Sequence, residues 1–405
     1  MGYIMKKFLI VFLTCFIAIF ATFILTSYNL KIDIIVDNIS TFSSKLIGKS
    51  IPQYSDDIKV NRLQMKNATY NFNKLSDNQK KMYSAIAYEV QKLNNIVNLD
   101  NYSSGDIEAI SQDAKVVMTA FFADHPEVFY LKLTYKLSLS KSFVYDRIQI
   151  ELDYSVKNKQ DLEEKLQLVE KSMDSYTNNL DGKNDFEKEL YMHDSIAKDV
   201  KYYNEITDIT DVPEVYHTIY GVFVEKQAVC DGFAKSMQIL LDKYDIENIF
   251  VTGMINEVPH AWNMVKFDNE WYHLDLTSNK YVKEVDGTTK TVVHTYFNVI
   301  DTFILKSHTI DNKELNPIAN STTYNYYVKT NSYINSTQNF DSRIKEILQL
   351  QKNNNSLEFS ADISDVPTKL LNILYDLNFN GYKSNSTTVK MKYYNEFNTY
   401  IVQKQ

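Results

Sequence analysis

Residues 228–244 read AVCDGFAKSMQILLDKY, and the fold turns on how they are read. Phe233, Met237, Leu240, Leu241 and Tyr244 recur at helical spacing, which predicts a helix packed on a core with Cys230 at its first turn or cap. The unsatisfied amides and the positive dipole end at that place favour an anion, and the same amides suit a developing oxyanion. Gly232 permits close backbone approach beside the thiol. By itself a helix start also suits a cysteine that only fills a gap as a small hydrophobe, the usual fate of a free thiol.

Two further stretches follow, PHAWNMVKF at 259–267 and NEWYHLDLTS at 269–278, both strand-like. If Asp268 and Asn269 form the tip of a hairpin, Phe267 pairs with Glu270, and counting outward sets Trp262 opposite Asp275 and His260 opposite Thr277. His260 and Asp275 are then diagonal neighbours on one sheet face, roughly 7–8 Å apart at the backbone. A two- or four-residue loop keeps this register, and a three-residue loop puts the pair on opposite faces. In the kept register Asp275 can accept a hydrogen bond from one His260 nitrogen while the other faces the Cys230 sulfur. His273 points to the same face and competes for the role, although two residues on one strand orient each other poorly for a linear relay. His193, beside Asp194 on a helix, reads as a capping or core residue, and His125 belongs to a helix-ending DHPE turn. No metal-ligand spacing surrounds His217, His294 or His308 and no zinc or calcium loop motif occurs, so no metal or other cofactor is expected.

A chain of 405 residues exceeds one compact core and predicts two or three domains. Residues 8–25, FLIVFLTCFIAIFATFIL, are an uncharged apolar run preceded by Lys6 and Lys7. At ~1.5 Å per residue it spans about 27 Å, close to the ~30 Å hydrocarbon core. A cleavable signal peptide is the alternative, but TFILTSYNL offers no good small-x-small site, so residues 1–30 read as an uncleaved signal anchor with the remainder outside the cytoplasm. That topology makes a lone thiol odd, because it can form no internal disulfide and is open to oxidation. Residues 31–69 read as a linker, 70–184 as an N-terminal α+β domain, 185–315 as a catalytic core and 324–405 as a small C-terminal α/β domain. A net charge of −8, with no clustered Lys and Arg beyond the extreme N-terminus, argues against nucleic acid as a partner.

Residues 221–246, GVFVEKQAVCDGFAKSMQILLDKYDI, and 258–278, VPHAWNMVKFDNEWYHLDLTS, resemble the core of the transglutaminase-like superfamily. Its members carry a Cys in V-C-x-G-[YF]-A, a His in H-A-W-N and an Asp in W-x-x-x-D. The resemblance covers residues 186–310 and implies an α+β, papain-like fold, with a helix packed on an antiparallel sheet. It also implies Cys230 as nucleophile, His260 as general base and acid, and Asp275 as orienting carboxylate, with Gly232, Trp262 and Asn263 in support. Leu276-Thr277-Ser278 departs from it, since relatives commonly carry an aromatic residue after the Thr. The implied function is a thiol enzyme, a cysteine peptidase or acyltransferase, that acts through an acyl-thioester on peptide or protein substrates of the cell envelope. The alternative is an inert cell-surface binding or scaffold protein that keeps the fold.

Overall fold

The computed structural model describes residues 32–38, 63, 65, 68–99, 102, 107–141, 146–203, 212–279, 282–283, 290–352, 356–376, 390–394 and 398–403. The expected signal anchor at 1–30 lies outside them; among the described residues no helix is long and apolar enough to cross a membrane.

The N-terminal unit is a four-stranded sheet, β1 (Ile32–Asn38), β2 (Ile96–Asn98), β3 (Leu131–Lys141) and β4 (Asp146–Tyr154), in the order β1-β3-β4-β2. Strand β1 falls inside the stretch expected to be a linker and pairs parallel to β3, Ile32 with Tyr135 through Asn38 with Lys141. The β-branched residues of IDIIVDN favour extended backbone, and their strand partner is about a hundred residues away, beyond any local pattern. Helices α1 (Asp77–Gln91) and α2 (Ile107–Asp124) accompany this sheet. Ser76 starts α1 with a capping box: its hydroxyl accepts from Gln79 N–H, and the Gln79 side chain accepts from Ser76 N–H.

Helix α3 (Lys159–Thr177) leads to α4 (Asp185–Asp199), which opens on a second capping box between Asn184 and Glu187. After a 3₁₀ turn at Glu214–His217 and a π-helical turn at Gly221–Glu225 comes α5 (Cys230–Lys243). All of Asp231–Asp242 is buried, so α5 is wrapped on every side and presents no polar face to solvent. Gln238 Nε2 donates to Ala123 O at the end of α2 (2.9 Å), and Asn263 Nδ2 donates to Ala234 O (3.0 Å) on the other flank. One continuous hydrophobic cluster runs from Met82 and Phe121 through Met237 and Leu240 to Tyr272 and Leu274, so the N-terminal unit and the core share an interior.

Behind α5 stands an antiparallel sheet of β5 (Asn248–Ile255), β6 (Val258–Phe267), β7 (Glu270–Leu274) and β8 (His308–Ile310), in the order β8-β5-β6-β7. The β6–β7 turn has two residues, Asp268 and Asn269, both left-handed (φ 49° and 65°), and Phe267 pairs with Glu270 as the sequence predicts. Gly253 on β5 admits edge strand β8, because a Cβ there would lie 1.8 Å from Thr309 O.

The C-terminal unit has its own core around Phe340, Ile344, Phe359 and Val402. Its strands β9 (Tyr333–Ile334), β10 (Ser356–Ala361), β11 (Lys390–Tyr394) and β12 (Thr399–Gln403) run in the order β9-β10-β12-β11. Helices α6 (Phe340–Leu350) and α7 (Val366–Asp376) connect them. Asn398, left-handed at φ 48°, immediately precedes β12.

Gly232 allows the start of α5 to seat on the preceding turn, since a Cβ there would meet Tyr216 O at 2.4 Å. Gly232→Ala therefore must push backbone apart, and we expect a loss of about 1–3 kcal/mol in urea unfolding free energy, the usual cost of overpacking. An unchanged unfolding midpoint would show that the turn yields without strain.

Candidate active site

Val229 N–H donates to Tyr216 O (3.0 Å) and Val229 O accepts from Phe233 N–H (3.1 Å), which holds the residue before Cys230 extended and starts the helix immediately after it. Cys230 is partly exposed. Its backbone N–H reaches the hydroxyl of Tyr202, a residue on the short strand Lys201–Tyr202 that pairs with Gln227–Ala228. Burial raises the Tyr202 phenol well above its ordinary range, and the charges of Cys230, Asp231 and Asp275 add to this.

Below the thiol, Asp231 is buried against His217 (Nδ1 to Oδ1, 2.9 Å) and Lys235 (3.7 Å) and also accepts Gly232 N–H (3.0 Å). Burial opposes its ionisation, but the His217 and Lys235 charges and these hydrogen bonds prevail and hold its carboxyl low. The group anchors the first turn of α5.

His260 Nε2 lies 2.9 Å from Asp275 Oδ2. Cys230 lies near enough to the same imidazole to act on its ionisation, and with Nε2 committed to Asp275 the nitrogen left for the sulfur is Nδ1. The structure thus brings together the three residues singled out in the sequence. Burial works against a charged His260, yet the Asp275 charge and hydrogen bond, and then Cys230, push it up to about 10. Burial likewise works against a charged Asp275, but the His260 charge and the hydrogen bonds from His260 and His308 hold the carboxyl well below the usual carboxylate range.

Trp262 lies flat against His260 (centroids 5.9 Å apart, planes 21°) and edge-on to His308 (5.1 Å). Asn263 lies beside the helix, tied to Ala234 as described above, and is a link between sheet and helix. His273, the competing imidazole, is committed elsewhere: Trp262 Nε1 donates to its Nδ1 (3.0 Å), and its Nε2 meets Asp301 Oδ1 (3.0 Å). Those partners hold it away from the thiol.

The sequence reading missed His308. Its Nε2 lies 3.0 Å from the same Asp275 Oδ2, its Nδ1 2.8 Å from Ser307 Oγ, and Ser307 meets the Tyr296 hydroxyl at 3.1 Å. Asp275 Oδ1 accepts Ser278 N–H (3.0 Å), so the departure at Leu276-Thr277-Ser278 falls in the turn that clasps the carboxylate. Neither metal-ligand spacing nor hairpin counting could find His308, which arrives on an edge strand beyond a long connection. Gly253, odd in an otherwise β-branched and apolar strand, was the one signal that another backbone comes close.

Among the described residues two sets of donor atoms lie close enough to hold a cation, His260 with Asp275 and His308, and His193 with Asp194 and His294. In the first set both imidazoles already face one carboxylate oxygen, as N–H donors would.

These buried pairs set a pH dependence of stability. His294 sits between Glu358 and Asp194, and although burial opposes its charge the two carboxylates push it up to about 10. A free histidine titrates near 6.5, so this contribution is full below about pH 6.5 and is lost as pH rises toward 10. Asp275 and Asp194 are held low, so theirs is full above about pH 4 and lost as pH falls. The thermal midpoint should be highest between about pH 4 and 6.5. Glu358→Gln should flatten the alkaline fall, and an equal alkaline slope in both proteins would refute the assignment to His294.

Residues 174–276 match the profile of the transglutaminase-like superfamily. Among solved structures, the chain is similar to one described as a TGase, at 20% identity and a TM-score of 0.26, with 35% of this chain and 44% of that one covered. It is also similar to a candidate cysteine protease from Cytophaga hutchinsonii, at 14% identity and a TM-score of 0.23, with 36% and 55% covered. The chain thus spans about half the length of the solved structures it matches. No curated protein matches it. The matched segment holds α4, α5 and β5 to β7 together with Cys230, His260 and Asp275, and the chain therefore carries a transglutaminase-like superfamily core.

Proposed function

We propose that this protein is a thiol enzyme that transfers acyl groups from peptide or protein amides through a thioester on Cys230. The observation that carries the reading is the linear order of sulfur, imidazole and carboxylate, with His260 Nε2 on Asp275 and its other nitrogen toward Cys230. In the first step the thiolate attacks the amide carbonyl carbon while the C=O electrons move onto oxygen. Collapse expels the amine, which takes its proton from the His260 imidazolium, and leaves the acyl-thioester. Neutral His260 then removes a proton from water or from an acceptor amine as that nucleophile attacks. The second tetrahedral intermediate releases the thiolate and restores the ion pair. Asp275 holds the ring in one orientation and stabilises its charged form without taking the proton.

Topology supplies the substrate class. The apolar run at 8–25 behind Lys6 and Lys7 supports a single-pass anchor with the enzyme outside the cytoplasm, where peptides and proteins of the cell envelope are in reach. Hydrolysis and transfer to an amine use the same three side chains and differ in which nucleophile reaches the thioester.

Three results test this reading. An ordinary thiol with a pKa near 8.5 is ~0.1% ionised at pH 5.5, so iodoacetamide should label wild-type Cys230 at that pH at least tenfold faster than it labels His260→Ala. Equal rates would end the claim of an activated thiol. Envelope peptides incubated with and without an amine donor should show cleavage, deamidation or amine addition by mass spectrometry, each abolished in Cys230→Ala; no mass change in any peptide would favour an inert scaffold. In His308→Leu the carboxylate loses a donor and turns more of its charge to His260. The alkaline limb of the reaction profile should then move to higher pH, whereas loss of amplitude without a shift would mean that His308 only packs.

A further inference from the structure

His193, Asp194 and His294 lie outside the site, with donor atoms within 4.8 Å of one another. Proton accounting shows what they are. Tyr296 N–H donates to Asn279 Oδ1 (2.7 Å), which orients that amide so that Nδ2–H donates to His193 Nε2 (3.1 Å). His193 Nε2 is therefore an acceptor and its proton sits on Nδ1, facing Asp194 Oδ1 (3.0 Å). His294 has a carboxylate at each nitrogen, Asp194 Oδ1 at 2.9 Å and Glu358 Oε2 at 2.8 Å, so both nitrogens carry protons. Neither ring offers Asp194 a lone pair for a shared cation. What remains is a hydrogen-bonded chain.

That chain begins in the C-terminal unit. Glu358 on β10 is buried and accepts from His294 Nδ1, from His294 backbone N–H (2.8 Å) and from the Tyr327 hydroxyl (2.8 Å). It continues through His294, Asp194 and His193 to Asn279, and Tyr326 stacks flat on the His294 ring (3.7 Å, 8°) so that the ring cannot turn. It ends at the backbone of Asp275: Asn279 N–H donates to the Asp275 main-chain O (3.1 Å), while Asp275 N–H donates to Tyr296 O (3.1 Å). Asn279 thus closes the turn that presents Asp275.

We propose that Glu358 and His294 are positioning residues for Asp275, and that through Asn279 the C-terminal unit sets the turn aiming this carboxylate at His260. The proposal rests on the reading of Cys230, His260 and Asp275 as a thiol-activating set. It gives the C-terminal unit a part in the chemistry although none of its side chains touches the thiol or the imidazole among the described contacts. A docked appendage needs an interface only; a positioning element needs an unbroken set of oriented bonds between the interface and the reacting groups. The residues form such a set as far as the backbone of Asp275, whose turn fixes where its carboxylate points.

The test uses the full chain and the initial rate of Cys230 alkylation by iodoacetamide at pH 5.5, divided by the rate at pH 9. A wild-type ratio equal to that of a free thiol would sink the thiol-activation reading itself, before any variant is compared. With an elevated wild-type ratio, Glu358→Ala and Asn279→Ala should each lower it by about tenfold, and the double variant should be no lower than either single, as for two links in one chain. Glu358→Gln keeps an acceptor and should restore most of the ratio. The proposal is overturned if Glu358→Ala melts at a lower temperature yet keeps the wild-type ratio, or if the double variant shows the product of the two single effects. Should Glu358→Ala give no cooperative unfolding, Tyr327→Phe, which leaves Glu358 two of its three donors, takes its place in the cycle under the same criteria. Zinc retained at one ion per wild-type chain after dialysis, and lost in His193→Ala, would overturn the proton assignment.

Discussion

Asp275 is a carboxylate with no exposure to water, and a buried charge persists only where hydrogen bonds and an opposite charge replace the lost solvent. Its partners come from separate parts of the chain: His260 from β6, His308 from β8, and Ser278 N–H from the turn just beyond. Each must arrive within hydrogen-bond reach, so the site constrains the fold well beyond the hairpin. Strand β8 has to lie against β5 for His308 to reach the carboxylate, and it can do so because Gly253 has no Cβ to meet Thr309. Orienting the His260 imidazole and holding the edge strand are here one packing problem, because the same carboxylate bonds both His260 and His308.

The parts of this arrangement legible in the sequence are those with a short-range cause. Asp268 and Asn269 tolerate the left-handed backbone that a two-residue hairpin turn needs, and that turn sets the register of His260 against Asp275. The spacing of Phe233, Met237, Leu240 and Leu241 likewise identifies α5. Illegible were the polar residues inside. Apolar spacing in α4 points to Phe186, Leu190, Ile196 and Val200 as its inner face, whereas the structure buries Glu189 and His193 fully and leaves Leu190 partly exposed. Glu189 Oε2 accepts from Asn298 and His193 Nε2 from Asn279, partners 109 and 86 residues away that no periodicity reveals. The strand at Ile32–Asn38 escaped for the same reason, its pairing being with β3.

The flanking units are joined to the core by different physics. The N-terminal unit shares an apolar interior with α5, and hydrophobic contact is tolerant of small displacements because it has no direction. The C-terminal unit has an apolar core of its own and adds Tyr326, Tyr327 and an Ile401–Val293 contact to the interior, and beside these a buried ion pair with fixed donors and acceptors crosses to the core. Such a pair contributes little net stability once desolvation is counted, but it admits one relative placement and rejects neighbours of it. A direction-dependent joint is the kind that can carry geometry from one unit to the other.

The same economy runs through the whole interior. The chain has seven histidines, all seven are buried, and each has a ring nitrogen within 3.0 Å of a carboxylate oxygen. Were these residues chosen for stability alone, well-packed apolar side chains would serve as well or better. What an imidazole adds is two distinct nitrogens at a fixed angle, so that once one is bound to a carboxylate the other points in a determined direction. At His260 that second direction is the thiol; at His308 it is Ser307, at His193 Asn279 and at His273 Trp262. The core is thus organised by oriented pairs, and in the pair of His260 with Asp275 the second nitrogen is turned to a partly exposed sulfur.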